Sequence, residues 1–98
     1  MFRSRFVWEV ELRREVLEDE IGRLQELPYS IWQELLGRSM VKPARARDGR
    51  SYRIRTVAVR SKAGSEDIRV VVSLETPALG RGLLRQSFVI TPENRFAE

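Results

Sequence analysis

The chain has 98 residues, of which 42% are apolar and 33% charged, a composition typical of one globular domain rather than a disordered segment. It contains no histidine and no cysteine, which excludes histidine-based triads, thiol nucleophiles, disulfides and the common zinc sites. The formal net charge is +4, from 18 Lys and Arg against 14 Asp and Glu. These observations favour a non-catalytic protein without a cofactor or a bound metal.

The charges are distributed unevenly along the chain. Residues 38–62 contain one acid, Asp48, and nine cations: Arg38, Lys42, Arg45, Arg47, Arg50, Arg53, Arg55, Arg60 and Lys62. Residues 1–37 contain eight acids and five arginines. We predict a single domain over residues 1–98, in which residues 1–37 are acidic and mainly helical, and residues 38–98 are basic and mainly β. Such a surface could attract a charged partner, or the arginines could only keep exposed strands soluble.

The first element is a helix whose start is ambiguous. Leu17, Ile21 and Leu24 recur at helical spacing, which predicts a helix over residues 14–26. Residues 2–12 alternate with a period of two, so either a strand leads into this helix near Arg13, or one long helix begins near Ser4. The acids at positions 9 and 11 interrupt any signal sequence, and the apolar runs are too short to span a bilayer. We therefore expect a cytoplasmic protein without membrane association.

A second, short helix is predicted after Pro28, which ends the first. Ser30 and Gln33 have the spacing of a capping box, and Gly37 suits a helix C-terminus, so we expect a helix over Ile31–Leu36.

The remaining elements are predicted strands. Pro43 restricts residues 40–47 to an edge strand or an irregular lead-in. Asp48-Gly49 is a hairpin signal, and alternating patterns follow at residues 52–59, 68–75 and 84–90. The predicted fold class is α+β: one long and one short helix packed on a three- to four-stranded antiparallel meander sheet.

The alternation also predicts the register of the sheet. Pairing Ile54 with Leu74 and Val72 with Phe88 places the even-numbered apolar residues on one buried face. The odd-numbered face then carries two rows across the strands, Arg53–Glu75–Arg85 and Val57–Val71–Val89.

Valines on a face that should be solvated indicate that something covers it. We expect homodimerisation or a protein partner there. The residues predicted for self-association are Val57, Val59, Val71 and Val89.

Nucleic acid is the second candidate partner for this face, because arginine forks bind phosphate in a bidentate manner. The face lacks the aromatic residues on which bases stack in most sheet-based RNA sites. The residues predicted to contact nucleic acid are Arg45, Arg47, Arg50, Arg53, Arg55, Arg69 and Arg85.

The sequence also resembles two known groups of proteins. A helical N-terminal part followed by a basic antiparallel sheet resembles RelE-like ribonuclease toxins in outline, which implies catalysis by Arg53, Arg55, Arg85 and Glu75. The segments SYRIRTVAVR, IRVVVSLE and SFVITPENRF resemble small bacterial α+β proteins of unknown function, which implies a compact fold and no particular chemistry. The order of preference is an interaction module, then a nucleic-acid-binding protein, then a ribonuclease.

Overall fold

The computed structural model describes residues 5–76 and 82–97. Two helices precede five strands along the chain. The helices are α1 (Arg5–Leu24) and α2 (Tyr29–Glu34). The strands are β1 (Ser39–Arg45), β2 (Ser51–Arg60), β3 (Ile68–Glu75), β4 (Gly82–Ile90) and β5 (Phe96–Ala97).

The predicted fold class is confirmed, with one strand more than the sequence indicated. The five strands form one antiparallel sheet in the order β1-β2-β3-β4-β5, with a long and a short helix packed on it. The extra strand is β5, whose two residues pair with the end of β4. Two residues are too few for an alternating pattern to be visible in the sequence.

The long-helix alternative is correct for the N-terminal segment, and the strand alternative is wrong. Helix α1 continues without a break through residues 5–24. Leu12 is 1% exposed and continues the buried stripe of Val16 and Leu17 towards the N-terminus. Glu9 and Arg13, one helical turn apart, form an ion pair of 3.8 Å, a spacing that supports a helix and not a strand.

Helix α2 begins two residues before the predicted start and without the predicted capping box. Extended Pro28 (φ −74°, ψ 163°) is the N-cap, and its carbonyl accepts from the Ile31 amide at 3.1 Å. The Tyr29 amide donates instead to Asn94 Oδ1 at 2.7 Å, from the turn before β5. A side chain 65 residues away therefore takes the role predicted for Ser30.

Two hairpin predictions are confirmed. Strand β1 is an edge strand that contains Pro43, and Asp48-Gly49 forms the turn to β2. Gly49 has φ 86° and donates to the Ala46 carbonyl at 2.9 Å, a conformation that suits glycine.

The predicted register is correct between β2 and β3 and two residues off between β3 and β4. Ile54 pairs with Leu74, as expected, but Phe88 pairs with Val70 and not with Val72. A shift of two residues leaves each side chain on the same face, so the alternation could not choose between the two registers. The register changes at Leu74/Glu75, and the linking residues 77–81 lie outside the described part.

The core lies between the helices and the even-numbered side chains of the strands. Helix α1 contacts mainly β3 and β4, and α2 contacts β3. Each large side chain buried here contributes about 1.5–3 kcal/mol relative to exposure. The most deeply buried large residues are Leu12, Leu17, Trp32, Ile54, Ile68, Val70, Val72, Leu74 and Ile90.

Candidate functional site

The sheet has one face under the helices and one face turned away from them. Ile54 and Leu74 are 1% and 0% exposed and belong to the core. Val57, Val59 and Val71 are not part of that core cluster. We call the side formed by the odd-numbered strand residues the outer face; in the described part of the chain, neither helix covers it.

Valines form an apolar patch in the middle of the outer face. Val57 and Val71 are directly opposite each other on β2 and β3, and both are half-buried. Val59 on β2 is 39% exposed, and Val41 on β1 is 46% exposed. Val41 was not among the residues predicted for self-association, although its odd number in an edge strand places it beside Arg55.

The predicted valine row is wrong at one position. Ser87, not Val89, lies opposite Val71, because the β3–β4 register differs by two residues. Val89 lies opposite Arg69 and is only 4% exposed. On its other side Val89 pairs with Ala97 of β5, and the Arg69 Nη1 opposite it donates to Ser87 Oγ at 2.9 Å. Val89 is therefore less accessible to a partner than Val57, Val59 and Val71, the other three residues predicted for self-association.

An arginine–glutamate network lies beside the valine patch. Arg55 Nε donates to Glu75 Oε2 at 2.9 Å, and its Nη1 donates to Ser39 Oγ at 3.0 Å. Arg53 Nη2 is 3.5 Å from Glu75 Oε1. The hydrogen bond from Arg55 lowers the pKa of Glu75, and the charge of Arg53 adds to this effect. Glu75 is thus an ion-pair partner for both arginines.

Several polar atoms of this network retain hydrogen-bonding capacity. Arg53 Nε, Glu75 Oε1 and Thr76 Oγ1 are buried and make no hydrogen bond to any described residue. All three belong to the end of the sheet where β3 changes register. Buried polar groups are normally hydrogen-bonded, so these three atoms are candidates for contact with a water molecule or a partner group.

The arginines of the β1–β2 turn form ion pairs with acids of α1. Arg47 Nε donates to Glu15 at 2.7 Å, which raises the pKa of Arg47, and its guanidinium lies 5.4 Å from the centre of the exposed Trp8 ring. Arg50 Nη2 lies 2.7 Å from Glu9. Two of the predicted nucleic-acid contacts therefore join the β1–β2 turn to α1.

Arg45 and Arg85 are the predicted contacts that remain exposed without an ion pair to any described residue. Arg85 lies opposite Ser73 and not opposite Glu75, so the predicted row Arg53–Glu75–Arg85 is broken at its third member. Arg45 lies opposite Ser51 at the far end of β1. Both arginines are at the periphery of the outer face.

The described residues do not assemble the other kinds of site considered. They contain no cluster of three acids that could hold a metal ion. No aromatic side chain of a described strand lies on the outer face, because Tyr52, Phe88 and Phe96 occupy even positions. None of the described helices is long and apolar enough to cross a membrane. A glutamate with a lowered pKa is also a poor proton donor or acceptor near neutral pH, which disfavours Glu75 as the catalyst of a ribonuclease.

Comparisons with protein-family models, with curated proteins and with solved structures gave no match to this chain.

One feature on the helix side was missed from the sequence. Glu20 is 3% exposed and lines a cleft between α1 and the β1–β2 hairpin. The sequence did contain a signal for the burial of Glu20. Glu20 is four residues from both Val16 and Leu24, and this spacing places it on the buried side of the helix.

Proposed function

We propose that this protein is a non-catalytic interaction module that self-associates through its outer face. The observation that carries the proposal is the patch of Val41, Val57, Val59 and Val71 on a face that no described helix covers. Contiguous exposed apolar patches with polar residues around them mark interaction sites.

The size of the outer face fits a second copy of the chain. Five strands about 4.8 Å apart and up to ten residues long, at about 3.3 Å each, span roughly 20 by 30 Å. This corresponds to about 600 Å² in projection, close to the 800 Å² per partner of a typical stable complex.

The charges on the face are also compatible with contact between two copies. Glu75 compensates part of the charge of Arg53 and Arg55, and it already orients both guanidinium groups. Arg45 and Arg85 lie at the periphery, where water would still solvate them in a dimer. The centre of the face is therefore the part that is least costly to remove from water.

Placing a charge on the valine patch tests the proposal. We expect the wild-type chain to show a dimer in sedimentation equilibrium at tens of micromolar, and Val71→Lys to be monomeric, because a lysine there must be desolvated. Gln33→Lys adds the same charge to an exposed position of α2 and should leave the dimer intact. Circular dichroism checks that both variants fold. A wild-type monomer at millimolar concentration, or a Val71→Lys dimer as tight as wild type, would contradict the proposal.

Nucleic-acid binding is the second candidate function, favoured by the exposed Arg45 and Arg85. It ranks lower because Arg55 and Arg69 already donate hydrogen bonds on the face, and Arg53 forms an ion pair with Glu75. Retention on single-stranded RNA that falls steeply with salt, and is lost in Arg45→Ala/Arg85→Ala but kept in Val71→Lys, would place this function first. The cytoplasmic location stays a prediction.

A further inference from the structure

A cleft on the helix side of the sheet has the features of a small-molecule site. It has a volume of about 210 Å³ and lies between the C-terminal half of α1 and strands β1 and β2. Its apolar walls are the side chains of Leu24, Met40 and Ile54. Its polar groups belong to Glu20, Lys42 and Thr56. Apolar walls with a few convergent polar groups are typical of ligand pockets.

The Glu20 carboxylate has one engaged oxygen and one that remains available. Lys42 Nζ lies 2.6 Å from Oε1, and Arg23 donates to the same oxygen from Nη2 at 2.9 Å and from Nε at 3.2 Å. Within residues 5–76 and 82–97, no group donates to Oε2. Lys42 and Arg23 are themselves half-exposed or more, whereas the Glu20 side chain is 5% exposed.

Thr56 provides a second polar group. This residue is 4% exposed and lines the cleft from β2. The cleft thus offers an acceptor from Glu20 and a donor and acceptor from Thr56.

We propose that this cleft binds a small neutral molecule with an apolar ring and one hydrogen-bond donor, of the phenol or indole class. The ring would lie against Leu24, Met40 and Ile54, and its O–H or N–H would donate to Glu20 Oε2. The oxygen of a phenol would also accept a hydrogen bond from the Thr56 hydroxyl. A cavity of about 150 Å³ accommodates benzene, so 210 Å³ fits a slightly larger ring system.

The charges around Glu20 select a neutral ligand. Two cations already compensate this carboxylate, so an ammonium group would add a third cation at the same place. A carboxylate would lie beside Glu20 Oε2 and repel it. This site is on the opposite side of the sheet from the valine patch, so the proposal does not depend on self-association.

Titration with phenol, indole and benzene, followed by two-dimensional NMR of the amide signals, tests the proposal. We expect saturable shifts of Glu20, Leu24, Met40 and Thr56 with phenol and indole. Thr56→Val should weaken phenol about threefold to tenfold, as expected for the loss of a neutral hydrogen bond, and leave benzene unchanged. Met40→Trp fills the cleft and should abolish binding of all three probes, whereas Val59→Trp on the outer face should not.

Several outcomes would overturn the proposal. If no saturable shifts appear up to the solubility limit of phenol, the cleft holds only water. If phenol binds but neither Thr56→Val nor Met40→Trp changes its affinity, phenol does not bind in this cleft. Tighter binding of phenylacetate or phenethylamine would overturn the assignment of a neutral ligand. A Met40→Trp protein that does not fold would be replaced by Leu24→Trp, which fills the cleft from the helix side.

Discussion

Glu75 is the only acid among the described side chains of the outer face, and two arginines share it. Its neighbours Arg53 and Arg55 lie on the same strand, two residues apart, where they would repel each other without the carboxylate. The arrangement explains why half-buried arginines are tolerated beside the valine patch. It also makes the stability of the sheet depend on the ionisation of one residue.

We expect the stabilising effect of Glu75 to disappear in acid. Its pKa in the folded protein is below the ordinary value of 4.5, so ionised Glu75 stabilises the fold fully above that value. The contribution is lost as the pH falls through the lower, folded-state pKa. Urea unfolding at pH 7 should therefore show Glu75→Gln less stable than wild type, and the difference should shrink between pH 5 and pH 3. Glu93→Gln, in the exposed turn after β4, should not change the pH profile. An unchanged difference at pH 3 would refute this role of Glu75.

At the scale of elements, the shortest helix depends most on distant residues. Helix α2 has six residues, too few to be stable alone. Asn94 accepts from its first amide, and the Tyr29 hydroxyl donates to the Glu66 carbonyl at 2.6 Å in the β2–β3 loop. Arg60 Nη1 donates to the same carbonyl at 2.8 Å. The helix is therefore held between two loops that are far apart in the sequence.

Substitution of Asn94 should show how much this cap contributes. Asn94 has φ 63°, a conformation that glycine adopts easily and alanine does not. We expect Asn94→Gly to reduce the free energy of unfolding by about 1 kcal/mol, through loss of the cap alone. Asn94→Ala should reduce it further because of backbone strain. Thermal unfolding measures the stability of both variants. If Asn94→Ala is as stable as wild type, the cap does not contribute to stability.

At the scale of the whole molecule, ion pairs connect the acidic helical half with the basic β half. Acids of α1 bind cations of β1 and of the β1–β2 turn through the pairs Glu15–Arg47, Glu9–Arg50 and Glu20–Lys42. The molecule is elongated, 49 × 29 × 21 Å, and its radius of gyration of 14.9 Å exceeds the roughly 13 Å of a compact domain of this size. These ion pairs hold the long hairpin against the long helix.

A double-mutant cycle on Glu9 and Arg50 tests this connection. With Glu9→Gln, Arg50→Gln and the double variant, we expect a coupling of about 0.2–1 kcal/mol at low salt, as for other partly exposed ion pairs. The coupling should decrease at 0.5 M NaCl through screening. The same cycle on Glu18 and Arg85, which lie on opposite sides of the molecule, should give no coupling. Equal couplings in the two cycles would show that the Glu9–Arg50 contact is not specific.

The candidate site was only partly predictable from the sequence. The valines and arginines of the outer face were placed on the correct side, because side chains alternate strictly along a strand. The residues opposite them on β4 were predicted wrongly. A two-residue shift in the β3–β4 register places Ser87 instead of Val89 opposite Val71, and every side chain stays on the same face. The cleft at Glu20 was missed because its walls come from α1, β1 and β2 together.

The local pattern of the chain determined the α+β class, the long helix beyond residue 14 and the side of the sheet that is buried, and it kept β1 out of the middle of the sheet. These features depend on the spacing of apolar residues and on the backbone limits of proline and glycine, which act over a few positions. The tertiary structure alone decided the start of α2, the register of β4 and the internal pairing of Arg47 and Arg50 with α1. Each of these depends on groups that are distant in sequence, and their distances are set only when the sheet and helices pack together.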